Sequence, residues 1–212
     1  MKKHRPAPPS SPKPDHADQL GLERLLFFSD AVFAIAITLL ALEIRLPAGQ
    51  EFSTEAELFA ALTSLWQKYL AYFISFMVIG VFWLAHHRKF RLIRRYDSRL
   101  LLLNLLMLMA IAFIPFPSSL ISEYANRTAT SFYALTMILA EFWIGTVWWY
   151  ASKNNRLIDP HLDPKLRRRE FIIPIATGTV FALSIAVAYV NADAAKLSWL
   201  LIVPVTLFAS RG

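Results

Sequence analysis

Long apolar blocks alternate with short charged stretches along the whole chain. Several blocks approach the ~20 apolar residues that an α-helix needs to cross the hydrocarbon core of a bilayer. We expect helices over residues 20–46, 58–87, 100–116, 129–151, 171–190 and 197–210. The last block is short for a full crossing, which leaves open a tilted helix or a trimmed chain. The pattern predicts an all-α integral membrane protein with six transmembrane helices in one domain, residues 20–212.

The segment before the first block has a different composition. Residues 1–19 contain five prolines, are rich in basic residues and carry almost nothing apolar. Such a segment cannot bury enough surface to offset the entropy of ordering it. We therefore predict a disordered tail.

The Lys and Arg residues are distributed unevenly among the connections between blocks. The tail and residues 88–99 and 153–169 are basic, whereas residues 47–57, 117–128 and 191–196 are poor in Lys and Arg. Basic connections stay on the cytoplasmic side, so the distribution predicts six crossings with both termini cytoplasmic. The same distribution accounts for the net charge of +7 without a nucleic-acid partner.

A charged residue lies inside the first block. Asp30 follows Ser29 about two turns into the predicted helix, where a carboxylate costs roughly 2–3 kcal/mol on insertion scales. It therefore needs a partner from another helix or a wet cavity. His86 and His87 end the second helix on the same side as Arg24, so a network of Arg24, Asp30 and one histidine is possible. An interfacial role for either histidine remains open. Asp30, His86 and His87, without fixed geometry, are weak grounds for a metal site.

An apolar stripe runs along the same helix. Ile35, Leu39 and Leu42 are spaced i, i+4 and i+7 and therefore share one face. By periodicity alone, an ordinary packing seam is the better interpretation. The alternative is that several copies of the helix surround an axis, so that the stripe forms apolar rings that gate a pore. Thr38 would then contact a permeating ion, or it bonds to its own backbone.

Glu141 lies near the middle of the fourth block. Glu141 and Asn104, which lies early in the third block, are both candidates for interhelical hydrogen bonds that hold the bundle together. Because a mid-membrane carboxylate is costly without a reason, the alternative for Glu141 is a proton-relay site. The sequence contains no Walker A loop, HExxH, GxSxG or TVGYG-like filter. With no cysteine in the chain, thiolate chemistry is also excluded. We therefore expect neither an enzyme nor a bound cofactor.

Three motifs resemble a known family. Arg24-xxx-Phe28-Ser29-Asp30 resembles the R-x-x-x-F-S-D motif of the transmembrane protein 175 potassium channels of endosomes, lysosomes and bacteria. The endings F-W-L-A-H-H-R of the second block and F-I-P-F-P-S-S-L of the third are also similar to its bacterial members. The resemblance extends through most of residues 20–190.

The resemblance implies a potassium-selective cation channel without enzymatic activity. It implies a homotetramer in a bacterial inner membrane, with the first helices lining the pore. By position, Ile35, Leu39 and Leu42 would form the constriction, with Thr38 supporting selectivity. The polar network near the cytoplasmic side would contain Arg24, Phe28, Ser29, Asp30, His86 and His87.

Two other functions remain open. The first is a proton-coupled transporter or proton conductor that uses Asp30, His86 and Glu141 as relay sites. The second is a membrane scaffold without transport.

Overall fold

The computed structural model describes residues 16–46, 49, 51–124, 126–202, 204 and 206. Residues 1–15 of the predicted tail lie outside the described residues. The α-helices found within them are α1 (His16–Ala41), α2 (Glu55–Ser64), α3 (Trp66–Leu92), α4 (Ser98–Phe113), α5 (Pro115–Glu123), α6 (Arg127–Ser152), α7 (Pro164–Ala188) and α8 (Ala192–Ser198). Short 3₁₀ turns follow α6 and α8.

Five segments of the described chain are long and apolar enough to cross a membrane. They are Asp18–Ala41, Trp66–Leu92, Ser98–Glu123, Arg127–Asn155 and Pro164–Ala188. The fold is therefore all-α with five candidate spans. Most of the sixth predicted segment, 197–210, lies near or beyond the end of the described residues, so the sixth crossing stays a prediction.

The first helix begins and ends earlier than predicted. It starts at His16, with Asp18 in its first turn, where a carboxylate interacts favourably with the helix dipole. The α-helix ends at Ala41, and the amides of Leu42 and Glu43 then donate to carbonyls three residues back. Leu42 therefore lies in a tighter turn just beyond α1. The predicted i, i+4, i+7 stripe placed it in regular α-helix.

The second and third blocks also divide differently from the prediction. The second is split at Leu65 into α2 and α3, and α2 begins with a capping box made by Thr54 and Glu57. The third continues past Phe116, because α5 starts directly after Ile114 with a proline at its first position. A proline at the first position of a helix loses no intrahelical hydrogen bond. The helix is therefore interrupted at Ile114, but α4 and α5 together form one candidate span.

The two basic connections meet at one end of the bundle. The amides of Arg94 and Arg95 donate to the Leu157 carbonyl, at 2.7 and 3.2 Å. The start of α1 lies at the same end, because the Tyr96 ring packs against Gly21. A Cβ at Gly21 would lie 2.1 Å from that ring, so only glycine permits the contact.

The connections that are poor in Lys and Arg lie at the opposite end of the bundle. The Lys68 ammonium donates to the Arg45 carbonyl at 3.4 Å, which joins the end of α1 to the start of α3. The Arg127 guanidinium lies 5.0 Å from the centre of the Tyr189 ring, which joins the start of α6 to the end of α7. Consecutive spans therefore run in alternating directions. Within the bundle, α1 packs against α3, α4 and α5, while α6 packs against α4 and α7.

Candidate functional site

Helix α1 has one covered face and one uncovered face. Buried side chains recur every three or four residues and pack into the bundle: Leu22, Leu25, Ser29, Phe33, Ala36 and Leu40. Large apolar side chains are exposed on the other side of α1: Phe28 (51%), Ile35 (58%) and Leu39 (40%). Leu42 (56%) is exposed in the turn just beyond the helix. The predicted stripe therefore lies on the side of α1 that a single chain leaves uncovered.

A buried polar network joins α1, α3 and α4. The Asn104 amide donates to the Ser29 hydroxyl at 3.0 Å, and its carbonyl oxygen lies 3.0 Å from His86 Nε2. An amide oxygen can only accept, so His86 carries its proton on Nε2 in this arrangement. Ser29 in turn donates to the Leu25 carbonyl at 2.8 Å. All three network side chains are almost fully buried.

His86 is held in place by aromatic rings as well as by Asn104. Its ring centroid lies 5.6 Å from that of Phe33 and 4.2 Å from that of Phe90. Its buried Nδ1 has no hydrogen-bond partner among the described residues. The ring is thus fixed by one hydrogen bond and by packing.

Asp30 belongs to a separate cluster. It is half-buried and accepts a hydrogen bond of 2.8 Å from the Trp83 indole. The Trp83 ring stacks on the exposed His87, with centroids 5.7 Å apart. Arg24 is exposed, and none of the ion pairs found in the described part of the chain includes it. The structure therefore divides the predicted polar residues between two clusters and leaves Arg24 outside both.

Thr38 and Glu141, the two remaining polar residues predicted from the sequence, are hydrogen-bonded outside these two clusters. Thr38 is exposed and donates to the Ile35 carbonyl at 2.9 Å. Glu141 is buried and accepts the Thr177 hydroxyl, which connects α6 to α7. Glu141 is thus bonded to a different helix pair from the one that holds His86.

One buried ionic cluster was not predicted from the sequence. Glu170 is fully buried at the start of α7 and accepts hydrogen bonds from Lys89 at 2.9 Å and Arg88 at 3.1 Å. Lys89 is itself only 1% exposed. The available signal was a single acidic residue directly after three consecutive arginines. Trp83, the partner of Asp30, was also missed.

The chain matches a family model described as "Endosomal/lysosomal potassium channel TMEM175" over residues 24–115. This range includes Asp30, Trp83, His86 and Asn104, and therefore both polar clusters. In addition, the chain is 37% identical over 175 residues to a potassium channel of Streptomyces collinus, covering 80% of this chain and 83% of the relative.

A solved structure and an animal relative extend the comparison. The crystal structure of a lysosomal potassium-selective channel TMEM175 homolog from Chamaesiphon minutus has a TM-score of 0.77 and 31% identity, covering 90% of this chain and 99% of that one. The endosomal/lysosomal proton channel TMEM175 of Gallus gallus is 31% identical over 165 residues, or 76% of this chain and 31% of the relative. The chain is an integral membrane protein that belongs to the TMEM175 family, a family of ion channels and not of enzymes.

Proposed function

We propose that the chain is one subunit of a homotetrameric potassium-selective channel in a bacterial inner membrane. Four α1 helices surround the conduction path, and Ile35, Leu39 and Leu42 form its apolar constriction. The names of the Streptomyces and Chamaesiphon relatives support potassium as the permeant ion. The exposed side of α1 leaves Ile35 and Leu39 free to meet neighbouring subunits.

The observation that carries this proposal is the environment of Asp30. A half-buried carboxylate lies within a candidate span, on a different side of α1 from the apolar stripe and about 140° around the helix from Ile35. A charged side chain facing lipid costs about 2.5–3.5 kcal/mol on insertion scales. Assembly around a central path removes this cost, because the carboxylate then faces water or a neighbouring subunit.

The constriction and the polar clusters have different tasks in this account. Stacked apolar rings exclude water from a narrow path and open by wetting. The hydrogen bonds of Ser29, Asn104 and His86 fix the rotation of α1 against α3 and α4, and therefore which face of α1 the ions meet. Thr38 lies on α1 between Ile35 and Leu39, where its hydroxyl can turn from the Ile35 carbonyl to an ion.

Flux through purified protein in liposomes tests the proposal. A potassium gradient without a proton gradient should drive flux, and Ile35→Asn should increase that flux and reduce the discrimination between potassium and sodium, because the ring becomes wet. Leu183→Asn is the matched control, since Leu183 is 64% exposed on α7. Equal effects of the two substitutions, or none from Ile35→Asn, would remove Ile35 from the constriction.

Proton conduction is the second candidate function. The name of the Gallus gallus relative favours it, and Glu141 is a buried carboxylate within a span. In this alternative, flux follows an imposed proton gradient and is lost in Glu141→Gln. The bond of Glu141 to Thr177 instead of to the α1 clusters favours a packing role, so we expect Glu141→Gln to retain potassium flux.

A further inference from the structure

Two adjoining cavities open between α6 and α7. One is an apolar slot of about 410 Å³ alongside Gly145, Pro174 and Gly178. The other, of about 640 Å³, lies at the end of the bundle where the two basic connections meet. Trp149 and Phe171 line both, so the two form one continuous groove.

Two glycines line the slot where α6 and α7 approach each other closely. A Cβ at Gly145 would lie 3.7 Å from Pro174, and a Cβ at Gly178 would lie 3.8 Å from Glu141. Larger residues at either glycine would therefore extend into the space between the helices.

The polar side chains of the slot are hydrogen-bonded within the protein. Thr146 and Thr179 each donate a hydroxyl to a carbonyl of their own helix, both at 2.7 Å. Glu141 is 6% exposed and accepts the Thr177 hydroxyl. The surface left for an occupant is mainly apolar, made of methyl, methylene and aromatic groups that suit a hydrocarbon chain.

The second cavity is basic. Lys153, Arg167 and Arg168 line it, and none of its lining residues in the described chain is acidic. The Lys153 ammonium lies 4.7 Å from the centre of the Trp149 ring, and Arg167 donates to the Asn155 side chain at 3.1 Å. These contacts hold two cations in place at the mouth of the apolar slot, and Arg168 is exposed beside them.

We propose that this groove binds an anionic phospholipid. An acyl chain occupies the slot, and the phosphate lies among Lys153, Arg167 and Arg168. Basic pockets between membrane helices on the cytoplasmic side are sites of this kind for anionic headgroups. The charge complementarity selects an anionic lipid over a zwitterionic one, and the slot selects a lipid over a free phosphate ion.

The charge requirement is tested by native mass spectrometry of the purified protein with equal amounts of phosphatidylglycerol and phosphatidylcholine of the same chain length. Wild-type protein should retain phosphatidylglycerol preferentially. K153Q/R168Q should lower that preference by about 30-fold, since each Lys or Arg near an anionic surface contributes about fivefold. The control R91Q/R99Q removes two exposed arginines from the other basic connection and should keep the preference. An unchanged preference in K153Q/R168Q, or an equal loss in the control, would overturn the site.

The apolar requirement needs a separate pair of variants. Ile175 lines the slot and is 56% exposed, so Ile175→Trp fills the slot from its open side without disturbing the core. It should reduce retention of both lipids, whereas Leu183→Trp, at an exposed position on the same helix outside the slot, should not. If Ile175→Trp retains both lipids as the wild type does, no acyl chain occupies the slot and the proposal fails.

Discussion

At the scale of single residues, Asn104 is the centre of the α1 attachment. Its amide bonds to Ser29 of α1 and its carbonyl oxygen to His86 of α3. All three side chains are buried among apolar neighbours, where unpaired polar groups are costly. A single side chain of α4 therefore supplies the polar part of the α1 attachment, in addition to the apolar packing of α1 against α3, α4 and α5.

Replacing Asn104 by leucine should destabilise the protein by roughly 1–2 kcal/mol, because interhelical hydrogen bonds in membranes contribute about 0.6 kcal/mol each and at most about 1.7. The change keeps a similar volume but leaves Ser29 and His86 without their shared partner. The midpoint of detergent-induced unfolding measures the loss. Leu105→Ala is the control, since the neighbouring Leu105 is half exposed and loses little packing. A variant Asn104→Leu that is as stable as the control would contradict this role.

The polar residues of the first block could be predicted from the sequence, but most of their partners could not. Asp30 stands out because a carboxylate inside an apolar block needs compensation. Its partner Trp83 carries no such signal, because tryptophan is common at membrane interfaces. Likewise, adjacent histidines at a helix end cannot be distinguished by spacing. Only the packing of α3 against α1, together with the bond to Asn104, buries His86 and leaves His87 exposed.

At the scale of helices, the ion pair of Lys89 with Glu170 connects α3 to α7. The two side chains are each about 1% exposed, and Arg88 adds a second bond to the same carboxylate. Because the residues are 81 positions apart, nothing in the local sequence connects them. A lone glutamate after three arginines looks like part of a solvated basic loop, which is why the pair escaped prediction.

Glu170→Gln should cost about 3–5 kcal/mol, because it leaves the buried Lys89 without a counter-charge. Asp193→Asn is the matched control. Asp193 pairs with Lys196 at 3.1 Å, but its side chain is 75% exposed, so its loss should cost under ~1 kcal/mol. Thermal unfolding of both variants in detergent measures the difference. Equal melting temperatures for the two would mean that the buried pair does not hold α3 to α7.

The helix boundaries were predictable only where composition changes sharply. Residues 129–151 were predicted for the fourth block, and α6 is Arg127–Ser152. By contrast, no glycine or proline marks the break at Leu65 between α2 and α3. The prolines after Ile114 favour a helix end near Phe116, whereas one of them begins α5. Hydropathy detects the membrane spans but is insensitive to interruptions within apolar sequence.

At the scale of the whole molecule, the main open question is what covers α1. Exposed apolar side chains occur on every long helix, including Leu135 on α6 and Leu183 on α7. Exposure therefore does not by itself separate a pore face from a lipid face. The half-buried Asp30 of α1, which lies about 140° around the helix from Ile35, is the feature that favours water or another subunit around α1. The number of subunits has no signal in the sequence and rests on the family resemblance.

The absence of cysteine from the chain permits a direct test of the pore assignment. Single cysteines are introduced at Ile35 and, as the control, at Leu183, and potassium flux is recorded before and after a thiol-reactive quaternary ammonium is added. The account predicts that modification removes most of the flux through Ile35→Cys and leaves that of Leu183→Cys unchanged. Undiminished flux through modified Ile35→Cys, with its labelling verified by mass, would contradict a conduction path along α1.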